Sequence, residues 1–157
     1  MQEKLRIHHY HSAIVGWLEL CTSSRGVRSI GFVSAPSEEA VCHGDPMMDR
    51  LIAELDDYFA GKLRKFSVPL DPDPGTNFQG RVWKQLTTIP YGQTRSYAQI
   101  AAGIGDAKAA RAVGSANGCN PIPIIIPCHR VVKADSTLGG YSSGVHIKKK
   151  LLELEGV

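Results

Sequence analysis

The chain has no long apolar stretch, and this absence excludes a transmembrane helix. Its longest apolar run, residues 122–127, is far shorter than the roughly 18 residues that a membrane span requires. The amino-terminal residues also lack the basic segment, apolar core and small-residue cleavage site of a secretory signal. We therefore expect a cytoplasmic protein without a membrane partner.

Cysteine pairs of the C-x-x-C type are missing too, which argues against a zinc ribbon or a thioredoxin-like redox centre. The four cysteines should remain free thiols, because the cytoplasm is reducing. We predict no metal and no cofactor. One alternative stays open, namely a zinc site among the irregularly spaced residues of the amino-terminal half: His8, His9, His11, Cys21, Cys42 and His43.

The composition is that of a folded globular protein. Apolar residues make up 43% and charged residues 21% of the 157 residues, which excludes a disordered or fibrous chain. This length suits one domain or two small ones.

Positive charge is concentrated in the second half of the chain. Residues 1–75 contain 8 Lys and Arg against 11 Asp and Glu, whereas residues 76–157 contain 10 against 4. A basic half can face a polyanion, because Lys and Arg replace the counterions condensed on phosphates. The alternative is a plain solvated helix face formed by Lys148, Lys149 and Lys150.

The first half has the pattern of a small antiparallel sheet with a covering helix. Partial alternation and β-branched residues predict strands over Lys4–Tyr10, Ile14–Leu20 and Val27–Val33. Apolar residues then recur at helical spacing from Pro46, and Gly61 is a natural stop.

A proline-rich connector, residues 69–75, is the best candidate for a domain boundary. We predict an α+β protein with an amino-terminal domain over 1–70 and a mostly helical domain over 71–157. No internal repeat or low-complexity tract interrupts this division.

The second half contains two capping boxes, each of which marks a helix start. In Thr76-x-x-Gln79 and Ser96-x-x-Gln99 the hydroxyl can accept from the third helical amide while the glutamine reaches back. Asp106 is a plausible cap for a further helix over 107–116. Two short helices around a glycine-containing turn predict a helix-turn-helix.

The helix at 107–116 is rich in small residues and has two interpretations. Alanines are good helix formers that permit close packing, which is a purely structural role. Alternatively, a helix without bulk can enter a narrow DNA groove and insert the Arg111 guanidinium beside the bases. Only this DNA-binding interpretation also accounts for the excess of positive charge in residues 76–157.

A cysteine stands beside a histidine and an arginine after a rigid apolar segment, in the sequence Pro127-Cys128-His129-Arg130. The thiolate is the nucleophilic form of cysteine, and these neighbours can accept its proton and stabilise the anion. An isolated Cys-His pair would most often be accidental. Here other motifs accompany it.

These motifs closely resemble the O6-alkylguanine-DNA alkyltransferases, the methylated-DNA–protein-cysteine S-methyltransferases. The resemblance covers residues 76–157 almost continuously, and residues 1–70 resemble the family only in length and strand-helix pattern. The matching segments are Phe78, Val82-Trp83, 89–92, Ser96-Tyr97, 108–114, Asn120-Pro121, 127–132, 140–142, Leu151-Leu152 and Glu155-Gly156.

The resemblance implies a ribonuclease H-like amino-terminal domain followed by a winged helix-turn-helix domain. It also implies direct-reversal DNA repair, in which Cys128 takes the alkyl group from O6-alkylguanine irreversibly and once per protein. O4-alkylthymine is a possible further substrate, and the preferred alkyl size stays open. His129 would pass the thiol proton toward Glu155, with Asn120 supporting the turn and Tyr97 protonating the leaving guanine.

The implied partner is double-stranded DNA, bound by a monomer through the minor groove with the damaged base flipped out. Arg111 would fill the gap left by that base. The remaining DNA contacts implied are Tyr97, Ala109, Ala110, Ala112, Gly114, Ser115 and Arg130. The alkyl and base pocket implied contains Pro123, Val131, Tyr141, Ser142 and Ser143.

Three alternatives stay open at this stage. A helix-turn-helix damage sensor or regulator would bind DNA without transfer, and a thiol hydrolase using Cys128 and His129 would turn over many times. Cys119 is either a compact filler or a thiol that pairs with Cys128.

Overall fold

The computed structural model describes residues 3–37 and 44–157. The chain divides into two compact units, Met1–Asp73 and Pro74–Val157. Cys42 and His43, two of the residues considered for a zinc site, lie outside the described residues.

The first unit contains a three-stranded antiparallel sheet in the order β1, β2, β3. Its strands are β1 (Arg6–Ser12), β2 (Gly16–Thr22) and β3 (Val27–Val33). The third strand matches its predicted bounds, whereas the first two begin two residues later than predicted. For β2 the reason is the Ser12 hydroxyl, which accepts hydrogen bonds from the amides of Ile14 and Val15 and so keeps these residues in the turn.

Helix α1 (Pro46–Phe59) covers this sheet with one apolar face. Asp45 caps its first turn by accepting from the Met48 amide, and proline occupies the start, where no amide hydrogen is needed. Gly61, at φ 75°, follows the helix end as predicted. The core of the unit is formed mainly by Leu18, Leu20, Val27, Ile30, Met48, Leu51, Leu55 and Tyr58.

The second unit is mostly helical, and two very short strands pair in parallel within it. Its elements are α2 (Asn77–Leu86), β4 (Arg95–Ser96), α3 (Tyr97–Gly103), α4 (Ala110–Gly118), a 3-10 turn (Cys128–Arg130), β5 (Val131–Val132) and α5 (Val145–Leu154). β5 follows Cys128 in the chain, and β4 ends at Ser96, directly before Tyr97. Because β4 pairs with β5, these two parts of the chain lie side by side.

Both predicted capping boxes are confirmed, at Thr76 with Gln79 and at Ser96 with Gln99. Helices α3 and α4 form the helix-turn-helix. The cap predicted at Asp106 is wrong. The Asp106 carbonyl instead accepts from the Ala109 amide in the turn, and α4 begins only at Ala110 without a side-chain cap.

Lys148 does not belong to a solvated helix face. Helix α5 buries Ile147, Lys148, Leu151 and Leu152, and Lys148 is 0% exposed, whereas Lys149 and Lys150 remain exposed. The interpretation of the three lysines as one solvated face is therefore wrong for Lys148.

Two further features concern the described residues alone. Within residues 3–37 and 44–157, no helix has the length and apolarity needed to cross a membrane. The same residues bring together no group of three or more histidine, cysteine or acidic side chains that could hold a metal ion.

Replacing Thr76 with alanine should lower the free energy of unfolding by about 1 kcal/mol, because the Gln79 amide loses its side-chain acceptor. Urea denaturation measures this change. Thr76→Ser keeps the hydroxyl and serves as the control. Equal stability of the alanine and serine variants would contradict a stabilising role for the capping box.

Candidate active site

The turn that precedes Cys128 is closed by the side chain of Asn120. Its Oδ1 accepts from the Ile122 amide at 3.0 Å, and its Nδ2 donates to the Ile126 carbonyl at 2.7 Å. Within this turn Ile124 is buried at φ 76°, a left-handed conformation that is strained for a β-branched residue. Asn120 thus holds a strained segment directly before the cysteine.

The Cys128 thiol is shielded from water, since the residue is 6% exposed. Asn117 donates from Nδ2 to the Cys128 carbonyl at 3.2 Å, and the Cys128 Sγ lies 3.9 Å from the Tyr141 hydroxyl. Burial raises the pKa of the thiol, and hydrogen bonds from Asn120 and Tyr141 together with the charge of Lys148 offset this in part. The resting group is therefore the neutral thiol rather than a thiolate formed by its histidine neighbour.

Behind the cysteine, His129 and Glu155 are joined in a fully buried pair. The His129 Nε2 lies 2.6 Å from Glu155 Oε2, and both side chains are 0% exposed. Because a carboxylate accepts, Nε2 carries the hydrogen and Nδ1 is left as the acceptor. Burial lowers the pKa of His129, so the ring is neutral at pH 7. Nδ1 has no hydrogen-bond partner among the described residues, so it is a base with a free lone pair.

Arg130 supplies the positive charge that balances Glu155. Its Nε lies 2.7 Å from Glu155 Oε1 and its second amino group 3.1 Å from Oε2, a forked pairing that fits a carboxylate. The remaining amino group donates to the Ile89 carbonyl at 2.7 Å. The prediction of Arg130 as a DNA contact is therefore wrong, because its guanidinium is buried and bonded inside the protein.

Glu155 is held in place from the segment that precedes β4 as well. The Gly92 amide donates to Glu155 Oε1 at 3.2 Å. Gly92 has φ 77°, and a Cβ there would lie 3.1 Å from the Glu155 carbonyl oxygen, so this position requires glycine. The motif at 89–92 thus supplies a backbone contact that holds the Glu155 carboxylate in place.

Tyr97 lies at the first position of α3 and packs against two glycines. A Cβ on Gly139 would come within 3.1 Å of the Tyr97 hydroxyl, and one on Gly114 would lie 3.8 Å from the ring. Burial, and then the nearby Cys128, raise the pKa of Tyr97. The phenol therefore keeps its proton at neutral pH.

A cavity of about 460 Å³ opens over the cysteine. Its lining consists of Tyr97, Gly114, Asn117, Gly118, Cys128, Gly140, Tyr141 and Ser142.

Three residues expected in the pocket lie outside this lining. Val131 and Pro123 are buried, and the Val131 carbonyl accepts from Lys148 instead of facing the cavity. Ser143 comes directly after the lining residue Ser142 in the chain but does not itself line the cavity. Sequence reasoning missed Asn117, although its place about one turn beyond Gly114 in the small-residue helix was a usable signal.

Helix α4 presents its small residues beside this cavity. Arg111, Ala112 and Ser115 are exposed, whereas Ala109, Ala110 and Gly114 are half-buried. Arg111 forms no ion pair within the part of the chain that the structure describes. Its guanidinium is therefore available to a partner outside the protein.

Two protein-family models match the chain. The model for the DNA-binding domain of 6-O-methylguanine DNA methyltransferase covers residues 77–157, and that for the ribonuclease-like domain covers residues 5–72. A methylated-DNA–protein-cysteine methyltransferase from Methanosarcina acetivorans is 44% identical over 146 residues, which span 90% of this chain and 93% of that protein. The protein of the same name from Mycobacterium tuberculosis is 60% identical over 104 residues, 66% of this chain and 62% of its own length.

Solved structures show the same likeness. The crystal structure of Mycobacterium tuberculosis OGT in complex with DNA matches with a TM-score of 0.85 and 45% identity, covering 96% of this chain and 92% of that one. The O6-methylguanine-DNA methyltransferase from Pyrococcus kodakaraensis matches with a TM-score of 0.61 and 26% identity, covering 98% and 100%. These matches agree with the predicted two-part architecture of an α+β domain and a helical domain.

Replacing Glu155 with glutamine should lower the free energy of unfolding by about 3 kcal/mol, because Arg130 stays charged and buried without a counter-charge. Glu153→Gln is the matched control at an exposed position of the same helix, with an expected change within about 0.5 kcal/mol. Chemical denaturation at pH 7 measures both. Equal effects would show that the buried pair contributes no more than a surface contact.

Proposed function

This chain belongs to the 6-O-methylguanine DNA methyltransferase family, and on that premise we propose that it repairs DNA by accepting an alkyl group from guanine O6. The observation that carries the proposal is the position of Cys128. Its thiol lines a cavity that also holds Tyr97, while a buried base and acid lie directly behind it. The nucleophile thus faces a space of suitable size for a nucleobase, and a base and an acid are buried behind it.

The proposed transfer is a single displacement at the alkyl carbon. A bond forms between this carbon and Cys128 Sγ while the bond from the carbon to guanine O6 breaks, and its electron pair leaves with the guanine. The thiol proton passes through a water to His129 Nδ1, where the resulting imidazolium is stabilised by Glu155. Tyr97, which is protonated at rest, donates to N3 of the leaving base. The product is a thioether, and no step regenerates the thiol, so each protein acts once.

Access to the cavity requires the damaged nucleotide to leave the helical stack. The O6 atom of a stacked guanine cannot reach a buried thiol, and rotating the base outward costs a few kcal/mol, less where alkylation weakens pairing. We propose that α4 enters the minor groove, where its small exposed residues permit close approach. Arg111 then occupies the space from which the base departs.

The remaining assignments follow from this mechanism. We propose that residues 71–157 form the DNA-binding and transfer domain and that residues 1–70 form a supporting domain. Cys21, Cys119 and Cys128 are free thiols, and a nucleophilic thiol requires a reducing compartment that also contains DNA. This requirement supports the cytoplasmic location predicted from the sequence.

Incubation with duplex DNA containing O6-methylguanine should add one methyl group per protein, on Cys128, and activity should then stop. Intact-protein mass spectrometry followed by peptide mapping measures this. Cys128→Ser should gain no methyl group, because a hydroxyl is far less acidic than a thiol, yet should keep its DNA affinity. Binding without methyl gain by the unaltered protein would instead support a damage sensor.

Arg111→Ala should slow transfer from duplex DNA by about tenfold or more while leaving transfer from free O6-methylguanine base within about twofold, because only the duplex requires a residue to fill the stack. Lys150→Ala, which removes an exposed positive charge from α5, is the control for overall charge. The transfer rates of both variants on both substrates are measured by mass spectrometry of quenched reactions. An equal loss on both substrates would refute the proposed role of Arg111.

A further inference from the structure

The side-chain oxygen of Asn117 is a buried acceptor without a donor. Asn117 lies near the end of α4 and is 8% exposed. Its Oδ1 forms no hydrogen bond with any group of the described residues. A buried acceptor left unpaired costs free energy, and a fold can retain such an atom where a bound partner supplies the donor.

The nitrogen of the same amide settles which atom is the oxygen. Nδ2 donates to the Cys128 carbonyl at 3.2 Å. A carbonyl oxygen can only accept, so the amide nitrogen must occupy this position and Oδ1 must occupy the other. Turning the amide over would place two oxygens against each other. Oδ1 is thus held as an acceptor close to the backbone of the nucleophile.

Asn117 also lines the cavity over Cys128. The hydroxyl groups in this lining, on Tyr97, Tyr141 and Ser142, can each donate or accept a hydrogen bond. The amide oxygen of Asn117 can only accept. Among the side-chain oxygens that line the cavity in the described structure, it is the one that cannot adapt to its ligand. A fixed acceptor discriminates between ligands that bring a donor to this place and ligands that do not.

The alkylated guanine proposed as substrate carries the matching donor. Alkylation at O6 leaves the ring nitrogen N1 without a hydrogen, so the amino group at C2 is the donor that remains on the pairing edge. Only N1 separates C2 from C6 in the ring. A guanine whose O6-alkyl carbon meets the Cys128 sulfur therefore brings its amino group near the Cys128 backbone, where Asn117 Oδ1 is held.

O4-alkylthymine presents the opposite group to the same acceptor. Its alkylated oxygen corresponds to guanine O6, but its C2 carries a carbonyl oxygen instead of an amino group. Two acceptors that face each other in a site closed to water repel and stay unpaired, which costs free energy. Asn117 would therefore disfavour the thymine lesion.

We propose that Asn117 is a specificity-determining residue, whose Oδ1 accepts a hydrogen bond from the 2-amino group of O6-alkylguanine and so favours this nucleobase over O4-alkylthymine. The inference rests on the proposed function, because it assumes that the nucleobase enters the cavity over Cys128. It adds the choice among alkylated nucleobases, since a sulfur nucleophile by itself attacks the alkyl carbon of either lesion.

The first test changes only the substrate. Duplexes carry O6-methylguanine, O6-methylhypoxanthine or O4-methylthymine opposite an abasic site, so that no base pair has to be broken. O6-methylhypoxanthine is the same purine with hydrogen in place of the 2-amino group. The unaltered protein should transfer methyl from each of these two analogues at least about tenfold more slowly than from O6-methylguanine. Mass spectrometry of quenched reactions gives the rates, and an equal rate on either analogue would overturn the proposal.

The second test assigns the preference to Asn117. Asn117→Leu removes the acceptor at similar volume, and it also removes the bond to the Cys128 carbonyl. Loss of that bond slows all three duplexes alike, so the informative quantity is the ratio of the O6-methylguanine rate to the O6-methylhypoxanthine rate. This ratio should fall by about tenfold relative to the unaltered protein.

Asn77→Leu is the matched control, because it makes the same replacement at an exposed asparagine at the start of α2. It should leave the ratio unchanged. An unchanged ratio in Asn117→Leu would overturn the proposal and leave Asn117 a purely structural role. The comparison of the three duplexes needs no variant, so it decides the proposal even where Asn117→Leu does not fold.

Failure of the inference is distinguishable from failure of the proposed function. Methyl gain by the unaltered protein at equal rates from the guanine and hypoxanthine lesions would overturn the inference alone. No methyl gain from any of the three duplexes would overturn the proposed function and the inference with it.

Discussion

The second unit is organised around one constraint, which is that water must be excluded from the Cys128 thiol. A thiol in an apolar interior keeps its proton, because burial raises the pKa of Cys128. Reactivity then depends on groups that are buried with it and that balance one another. Three groups meet this condition. They are the neutral His129 imidazole with its free Nδ1, the Glu155 carboxylate bonded to that imidazole, and the Lys148 ammonium group, whose charge partly offsets the rise in the pKa of the thiol.

Glu155 is the junction of this arrangement. Its carboxylate binds the His129 ring on one side and the Arg130 guanidinium on the other, and the Gly92 amide bonds to it as well. The positive charge of Arg130 balances the negative charge of this buried carboxylate. The bond to His129 selects the tautomer in which the nitrogen left free is basic. One residue thus serves both the stability and the chemistry of the site.

Features encoded by neighbouring residues could be predicted from the sequence, and features encoded by tertiary contacts could not. The capping boxes at Thr76 and Ser96 and the helix from Pro46 depend on residues three or four positions apart. Arg130 and Lys148 appear as surface charges in any sequence pattern, because nothing local reveals the Glu155 carboxylate or the backbone carbonyls that receive them. The misplaced cap at Asp106 arose because the turn used its backbone rather than its side chain.

Each contact described for the nucleophile, the base, the acid and the buried cation joins residues of Pro74–Val157. Residues of the preceding unit supply none of those contacts. One continuous segment of the gene, beginning at the codon for Pro74, thus encodes every group that the proposed sulfur chemistry uses.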